Sequence, residues 1–377
     1  MWPFKNSQQD AGSETESEPT LKQRVDGFWA WFSENAARFY ETIEDKRCAD
    51  LTEEMSDAID RWLTGMAWVF GPGPDRQGHS FTLSGEGIVA KQFIAEYWQS
   101  RAPTLTGWTF YSSRQPSEDG GSIVLELDRG KESFKPIEFW VSTYIDDQEE
   151  KIDIAVWHPS IQRLPERPRM MALFLILDEL LGEHGTVNWI GEIKFSEERL
   201  KDSIPIEELK ELIAEIEVEK GWEKYPPTEI YTSYSCDDPE GDWARADVYT
   251  GSTAFWPLIR EYGKAKGPCE HPTPDLGVEY IFAAIEPGFF PKGREVDARC
   301  EIEDEISERF KEAGAGITFG GACGGDFLYI DIALYDGPRS LEIVKEVLQK
   351  HQVPKSSRLH WFTEDQKGKS LTVYGKK

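Results

Sequence analysis

The chain has 377 residues, 39% of them hydrophobic and 12% aromatic, with 14 Trp. That is enough apolar material for more than one core, which excludes a globally disordered chain. With 42 basic against 69 acidic residues the formal charge is −27, a field that repels nucleic acid and anionic membrane and favours basic partners. Five cysteines, Cys48, Cys236, Cys269, Cys300 and Cys323, are odd in number and widely spaced with no CxxC, as expected of free thiols in a reducing compartment. No apolar leader stands at the N-terminus, and the longest apolar run, 170–177, is far short of the roughly 20 residues that cross a bilayer. These features predict a cytoplasmic protein with no membrane association.

Residues 1–20 are polar and non-periodic and read as a disordered tail. From Leu21 a helix places Phe28, Trp31, Phe32 and Phe39 on one broad aromatic face, the signature of docking against a core. A second helix is predicted over 52–69, stopped by Gly71-Pro72-Gly73-Pro74. A strand over 80–84, a helix over 88–100 and strands over 107–112, 122–127, 136–145 and 151–157 follow, with turn signals between them. Almost every residue from Met170 to Leu181 is apolar, which predicts a helix covered on several sides. After Gly182 and Gly185 the period changes to two, with Val187, Trp189, Ile193 and Phe195 on one face of a strand. Residues 21–200 therefore read as one α+β domain with the order of an expanded split βαβ sheet.

Beyond Asp202 a helix carries Leu209, Leu212, Ile213 and Ile216 on one stripe and glutamates elsewhere. The span 201–275 reads as this helix plus an irregular connection, with strands over 229–236 and 245–250 and a short helix over 253–262 broken at Pro257. Residues 276–377 give a clearer pattern: a strand over 278–285, a helix over 296–313 with Ile302, Ile306 and Phe310 inward, strands over 317–319 and 327–335 joined through a glycine-rich connection, a helix over 340–350 and a strand over 359–362. That βαββαβ order predicts a ferredoxin-like end domain. The fold class expected is α+β, with two sheet domains.

The block from Arg294 to Leu334 resembles an uncharacterised bacterial domain, domain of unknown function 695. Ile302-Glu303-Asp304-Glu305-Ile306 and Phe327-Leu328-Tyr329-Ile330 carry the likeness, which covers about a quarter of the chain. That family often accompanies a regulatory domain of a kind that inhibits a ribonuclease, so the resemblance implies a regulatory context.

Catalytic patterns are scarce. The run Gly320-Gly321-Ala322-Cys323-Gly324-Gly325 lies between two strands, whereas a phosphate-cradling loop needs a helix after it; a permissive hairpin is expected. The six histidines form no HxH, HxxxH or HExxH, and Cys269-Glu270-His271 is the closest approach to metal-ligand spacing. No GxSxG occurs, and Asp326 is expected to raise the pKa of the Cys323 thiol. Among Glu301, Glu303, Asp304 and Glu305 neighbouring helix positions point apart, so no shared carboxylate site is implied. No cofactor or metal is expected. The residues from which a dispersed site would be built are Cys236, Asp237, Asp242, His271 and Cys323.

The leading reading is a non-enzymatic acidic binding or regulatory protein that engages a basic protein partner, with an inhibitor or immunity-type role as one form. The rivals are an enzyme assembled from those scattered residues and a self-associating scaffold.

Overall fold

The first helix is fixed by Thr20, whose hydroxyl accepts the Gln23 backbone N–H at 3.3 Å while the Gln23 side chain accepts the Thr20 N–H at 3.0 Å. Two donors that a helix start leaves open are thereby satisfied. The structure is a computed structural model, and it describes residues 18–117, 125–127, 132–236 and 241–375. The chain is a mixed α+β protein with several separate sheets. No helix among the described residues is long and apolar enough to cross a membrane.

The first group of elements is α1 (Leu21–Glu44), α2 (Thr52–Trp62), β1 (Ala67–Pro72), β2 (His79–Ser84), α3 (Val89–Ser100) and β3 (Trp108–Tyr111). The strands form a small sheet in the order β1-β2-β3, with β2 and β3 parallel. Phe28, Phe32 and Phe39 of α1 are fully buried, each contributing about 2–3 kcal/mol from apolar burial. Phe32 lies 5.2 Å from the Trp108 ring and 5.5 Å from Phe110, so the predicted aromatic face does dock.

The second group is β4 (Leu125–Leu127), β5 (Glu132–Phe134), β6 (Trp140–Asp146), β7 (Lys151–Trp157), α4 (Glu166–Leu181), α5 (Glu183–Trp189), β8 (Ile190–Phe195), β9 (Ile204–Pro205) and α6 (Leu209–Lys220). Its four-stranded sheet runs β8-β7-β6-β9. Val141, Ile154 and Val156 of this sheet, Leu173, Ile176 and Leu177 of α4, and Ile213 and Ile216 of α6 form a core of their own.

The third group is β10 (Thr232–Ser235), β11 (Val248–Thr253), α7 (Trp256–Ala265), β12 (Glu279–Ile285), α8 (Glu295–Ala313), β13 (Gly316–Gly324), β14 (Leu328–Leu334), α9 (Pro338–Lys350), β15 (Arg358–Trp361) and β16 (Ser370–Thr372). Its sheet is antiparallel throughout, in the order β10-β11-β13-β14-β12-β15-β16. One face packs on α8 and α9 through Leu328, Ile330, Ile332 and Leu334. The other face, with Tyr280, Phe282, Phe319 and Tyr329, shares a core with α1, α3 and the small sheet.

Several expectations need correction. Residues 21–110 build a core with the large sheet, and 134–222 build another. The strands expected over 229–236 and 245–250 and the short helix over 253–262 are present as β10, β11 and α7, but Pro257 sits in the first turn of α7 rather than breaking it. The second helix ends at Trp62, because Gly65 turns the chain at φ +75, and Ala67–Phe70 pairs with β2 as a strand. The period-two reading over 187–195 covers a short helix as well. Gly182 (φ +75) starts α5, Thr186 N–H bonds to its carbonyl at 2.9 Å, and Trp189 stacks on Trp222. Helix α4 is not covered all round: Met171 is 52% and Phe174 42% exposed. Of the strand predicted over 122–127, residues 122–124 lie outside the described residues, as does most of the expected tail.

Candidate functional site

The strand β14 reads LYIDIAL, a single acid in an apolar run. Strand alternation puts Asp331 on the face opposite α8 and α9, where it is fully buried. Its partner is Arg245, from the turn before β11, whose Nη1 donates to Asp331 and whose Nη2 donates to the Tyr234 hydroxyl at 3.0 Å. The guanidinium lies 5.2, 4.9 and 5.3 Å from the ring centroids of Phe282, Tyr329 and Phe362. Burial works against its charge, but Asp331 and Tyr234 more than offset this and raise its pKa above the ordinary value. Asp331 Oδ2 has no hydrogen-bond partner among the described residues.

Beside this pair Asp247 accepts the N–H groups of Asp326 (2.9 Å) and Phe327 (3.0 Å) and the Tyr329 hydroxyl. Asp247, Tyr329 and Arg245 line a cleft of about 370 Å³ together with Trp243, Phe282, Phe327 and His360. Asp242 and Asp326 are exposed at the cleft, and neither makes an ion pair among the described residues. Arg358, also at the rim, donates to the carbonyls of Lys355, Ser356 and Ser357.

The other sequence candidates lie elsewhere. His271 sits in a different cleft with Cys269 and Glu270. Its Nε2 is 3.0 Å from the Val278 carbonyl, and its Nδ1 accepts the Thr273 N–H at 3.1 Å. Cys236 is exposed at the end of β10, its N–H bonded to the Tyr249 carbonyl. Asp237 lies outside the described residues. Cys323 is not in a turn but in β13, opposite Leu328. Burial raises its thiol pKa, Arg299 opposes this, and Cys300 and Glu295 add to the rise; the Asp326 effect expected from sequence is not among the causes. No group of three or more His, Cys, Asp or Glu able to hold a metal occurs among the described residues.

The glycine run does a different job from the one expected. Gly320, Gly321 and Gly324 are strand residues. A Cβ at Gly321 would meet the Arg299 guanidinium and the Tyr329 carbonyl, and one at Gly324 would meet the Asp247 carboxylate. The missing side chains make room for charged groups that cross the strand. Glu303, a turn from Arg299 on α8, is pushed up to about 7 by burial, with Arg299 opposing the rise, whereas Glu305 on another face binds Lys350 and His351.

A third cleft, of about 420 Å³, lies between α1 and α2. Asp50, Glu53, Glu54 and Asp57 line it together with Trp31 and Trp62. Arg38 reaches Glu54 at 2.5 Å and Arg47 reaches Asp50 at 2.9 Å. The Arg61 guanidinium lies 4.7 Å from the Trp62 ring centroid. Glu53 and Asp57, one helical turn apart and exposed, make no ion pair among the described residues. Sequence reasoning passed over both Arg245–Asp331 and this cleft. The lone acid in β14 was the one signal for the first, and TEEMSDAID, with acids at helical spacing, was the signal for the second. Comparison of the chain with protein-family models, with curated proteins and with solved structures finds no match.

Proposed function

We propose that the protein is a non-enzymatic binding or regulatory protein whose α1–α2 cleft engages a basic protein partner. The observation that supports this most is the clustering of four carboxylates around Trp31 and Trp62, two of which make no ion pair among the described residues. A lysine or arginine of a partner entering there gains charge-assisted hydrogen bonds from Glu53 and Asp57 and an aromatic face to lie on. The overall charge of −27 steers such a partner inward at low salt. An inhibitor or immunity-type role is one form of this reading. The likeness of residues 294–334 to domain of unknown function 695 belongs to the same proposal. So does a ferredoxin-like reading of β12-α8-β13-β14-α9-β15, which is supported by the strand order β13-β14-β12-β15.

The test is affinity capture with the wild-type chain and a Glu53→Lys/Asp57→Lys variant, at about 50 mM and about 300 mM salt. The expected result is one basic protein bound by wild type at low salt, weakened at the higher salt and lost in the variant. Equal recovery by both chains, or no basic protein at all, rejects the proposal.

A further inference from the structure

The small sheet β1-β2-β3 has two unlike faces. One carries Phe70, Phe81, Leu83, Trp108 and Phe110 into the main core. The other carries Val69 and Gly71 from β1, Ser80, Thr82 and Ser84 from β2, and Tyr111 from β3, with Val69, Thr82 and Tyr111 in one cross-strand row. This second face is partly shielded from water: Ser80 and Thr82 are each only 4% exposed, while Val69 is 45% exposed. It is covered by the segment around Arg114–Ser117, whose Ser117 N–H bonds to the Glu179 carbonyl of α4 at 2.7 Å, and by the loop that starts at Gly73.

Small side chains under a cover leave space. The cleft between them measures about 1050 Å³, and Ser80, Thr82, Tyr111, Arg114, Gln115 and Glu179 are among its lining residues. A Cβ on Gly71 would come within 2.9 Å of Ser80 Oγ, so the glycine keeps that hydroxyl clear. Neither the Ser80 nor the Thr82 hydroxyl makes a hydrogen bond to the described residues, whereas Ser84, next along β2, donates to the buried Glu183 carboxylate at 2.7 Å. Hydroxyls with no partner among the described residues keep their donor and acceptor capacity for a molecule in the cleft. If this face served packing alone, apolar side chains would fill it as they fill the opposite one.

The charges select the class of ligand. Arg114 is already paired with Glu86 at 2.8 Å, while Glu179 brings a carboxylate to the same cleft. An anion there meets Glu179, and a cation meets Arg114. Hydroxyls that donate and accept, a carboxylate acceptor and the apolar edges of Val69, Pro72 and Pro116 together suit a molecule with alternating O–H groups and C–H faces. We propose that this cleft is a binding site for a neutral polyhydroxylated small molecule of the size of a mono- or disaccharide. The site shares no residue with the α1–α2 cleft, and it stands or falls independently of the basic-partner reading.

The test is ligand-observed NMR and calorimetry on the full chain with glucose, galactose, xylose, myo-inositol, maltose and cellobiose, and with inorganic phosphate as the anionic arm. The expected result is saturable binding of at least one sugar, weakened roughly 5-fold each by Thr82→Val and Ser80→Ala, the loss of one hydrogen bond apiece. Glu179→Gln, on the helix surface, gives a second readout that does not touch the sheet, and is expected to weaken the same sugar. Binding of phosphate but of no sugar overturns the class. Sugar binding indifferent to all three variants overturns the location, and no binding by any probe overturns the site.

Discussion

Replacing Asp331 by alanine tests whether the Arg245 pair is as dry as its geometry implies. Side-chain exposures of 4% and 0% mean that the substitution strands a guanidinium where water cannot reach it. Breaking a buried pair in this way costs about 3–5 kcal/mol. Three ring faces at about 5 Å and the Tyr234 hydroxyl at 3.0 Å remain to Arg245. Ring contacts of this kind recover on the order of 0.5–2 kcal/mol, so the lower end, about 3 kcal/mol, is expected. Removing both charges in Arg245→Met/Asp331→Leu leaves no stranded ion, and the double variant is expected within about 1 kcal/mol of wild type or above it. The assay is urea unfolding followed by tryptophan fluorescence, reading the midpoint at unchanged slope, with the Arg245→Met single variant completing the cycle. Additive losses around the cycle, or a loss below about 1 kcal/mol for Asp331→Ala, would refute the reasoning, because either result means that water solvates Arg245.

Glu96 is pushed up to about 7 by burial. A carboxyl whose folded pKa is raised binds its proton more tightly in the folded state, so its contribution is present at low pH and is lost as pH rises from about 4.5 through 7. Glu96→Gln is therefore expected to flatten the stability–pH curve over that window and to stabilise the protein at pH 8 by up to about 3 kcal/mol, read by melting curves from pH 4 to 8; a curve parallel to wild type argues against it. Glu183, 2% exposed, accepts from the Ser84 hydroxyl at 2.7 Å, Gly87 N–H at 3.0 Å, Gln92 amide at 3.3 Å and Arg114 N–H at 3.4 Å. Glu183→Ala orphans these donors where α5 meets the small sheet, and a loss of about 3 kcal/mol or more is expected, together with earlier proteolytic cutting between the first and second groups of elements. An unchanged digestion pattern and melting temperature would show that α5 is held there by other contacts.

Legibility in the sequence followed the strength of local period. Helix α8 was readable because Ile302, Ile306 and Phe310 recur on one face, and all three are buried. Strand β12 was readable because Tyr280 to Ile285 form a short apolar run. By contrast, Val187 and Trp189 alternate like a strand yet sit in α5, because seven residues between Gly182 and β8 give neither period room to declare itself. Strand β1 was absorbed into a helix prediction because one glycine, Gly65, carries the break. The glycines of β13 looked like a turn, since the Arg299 and Asp247 side chains that occupy their missing Cβ positions come from distant parts of the chain. The pairing of Arg245 with Asp331 spans 86 positions. No local pattern records such a partnership, and the same holds for the hydroxyl-lined cleft, whose two walls are separate elements.

The way α1 begins has a consequence for biosynthesis. Its first two N–H groups bond to the carbonyls of Gly277 and Tyr335, and the Lys22 ammonium reaches the Ala313 carbonyl, 291 positions further on. A ribosome adding about 5–20 residues per second needs roughly 15–60 s to make that stretch. Throughout that interval the first turn of α1 waits for these partners, while Phe28 and Phe32 have only the small sheet and α3 to pack on. A nascent chain arrested before residue 280 should therefore hold its amino-terminal aromatic helix only through local partners, and be the species that a holding chaperone captures.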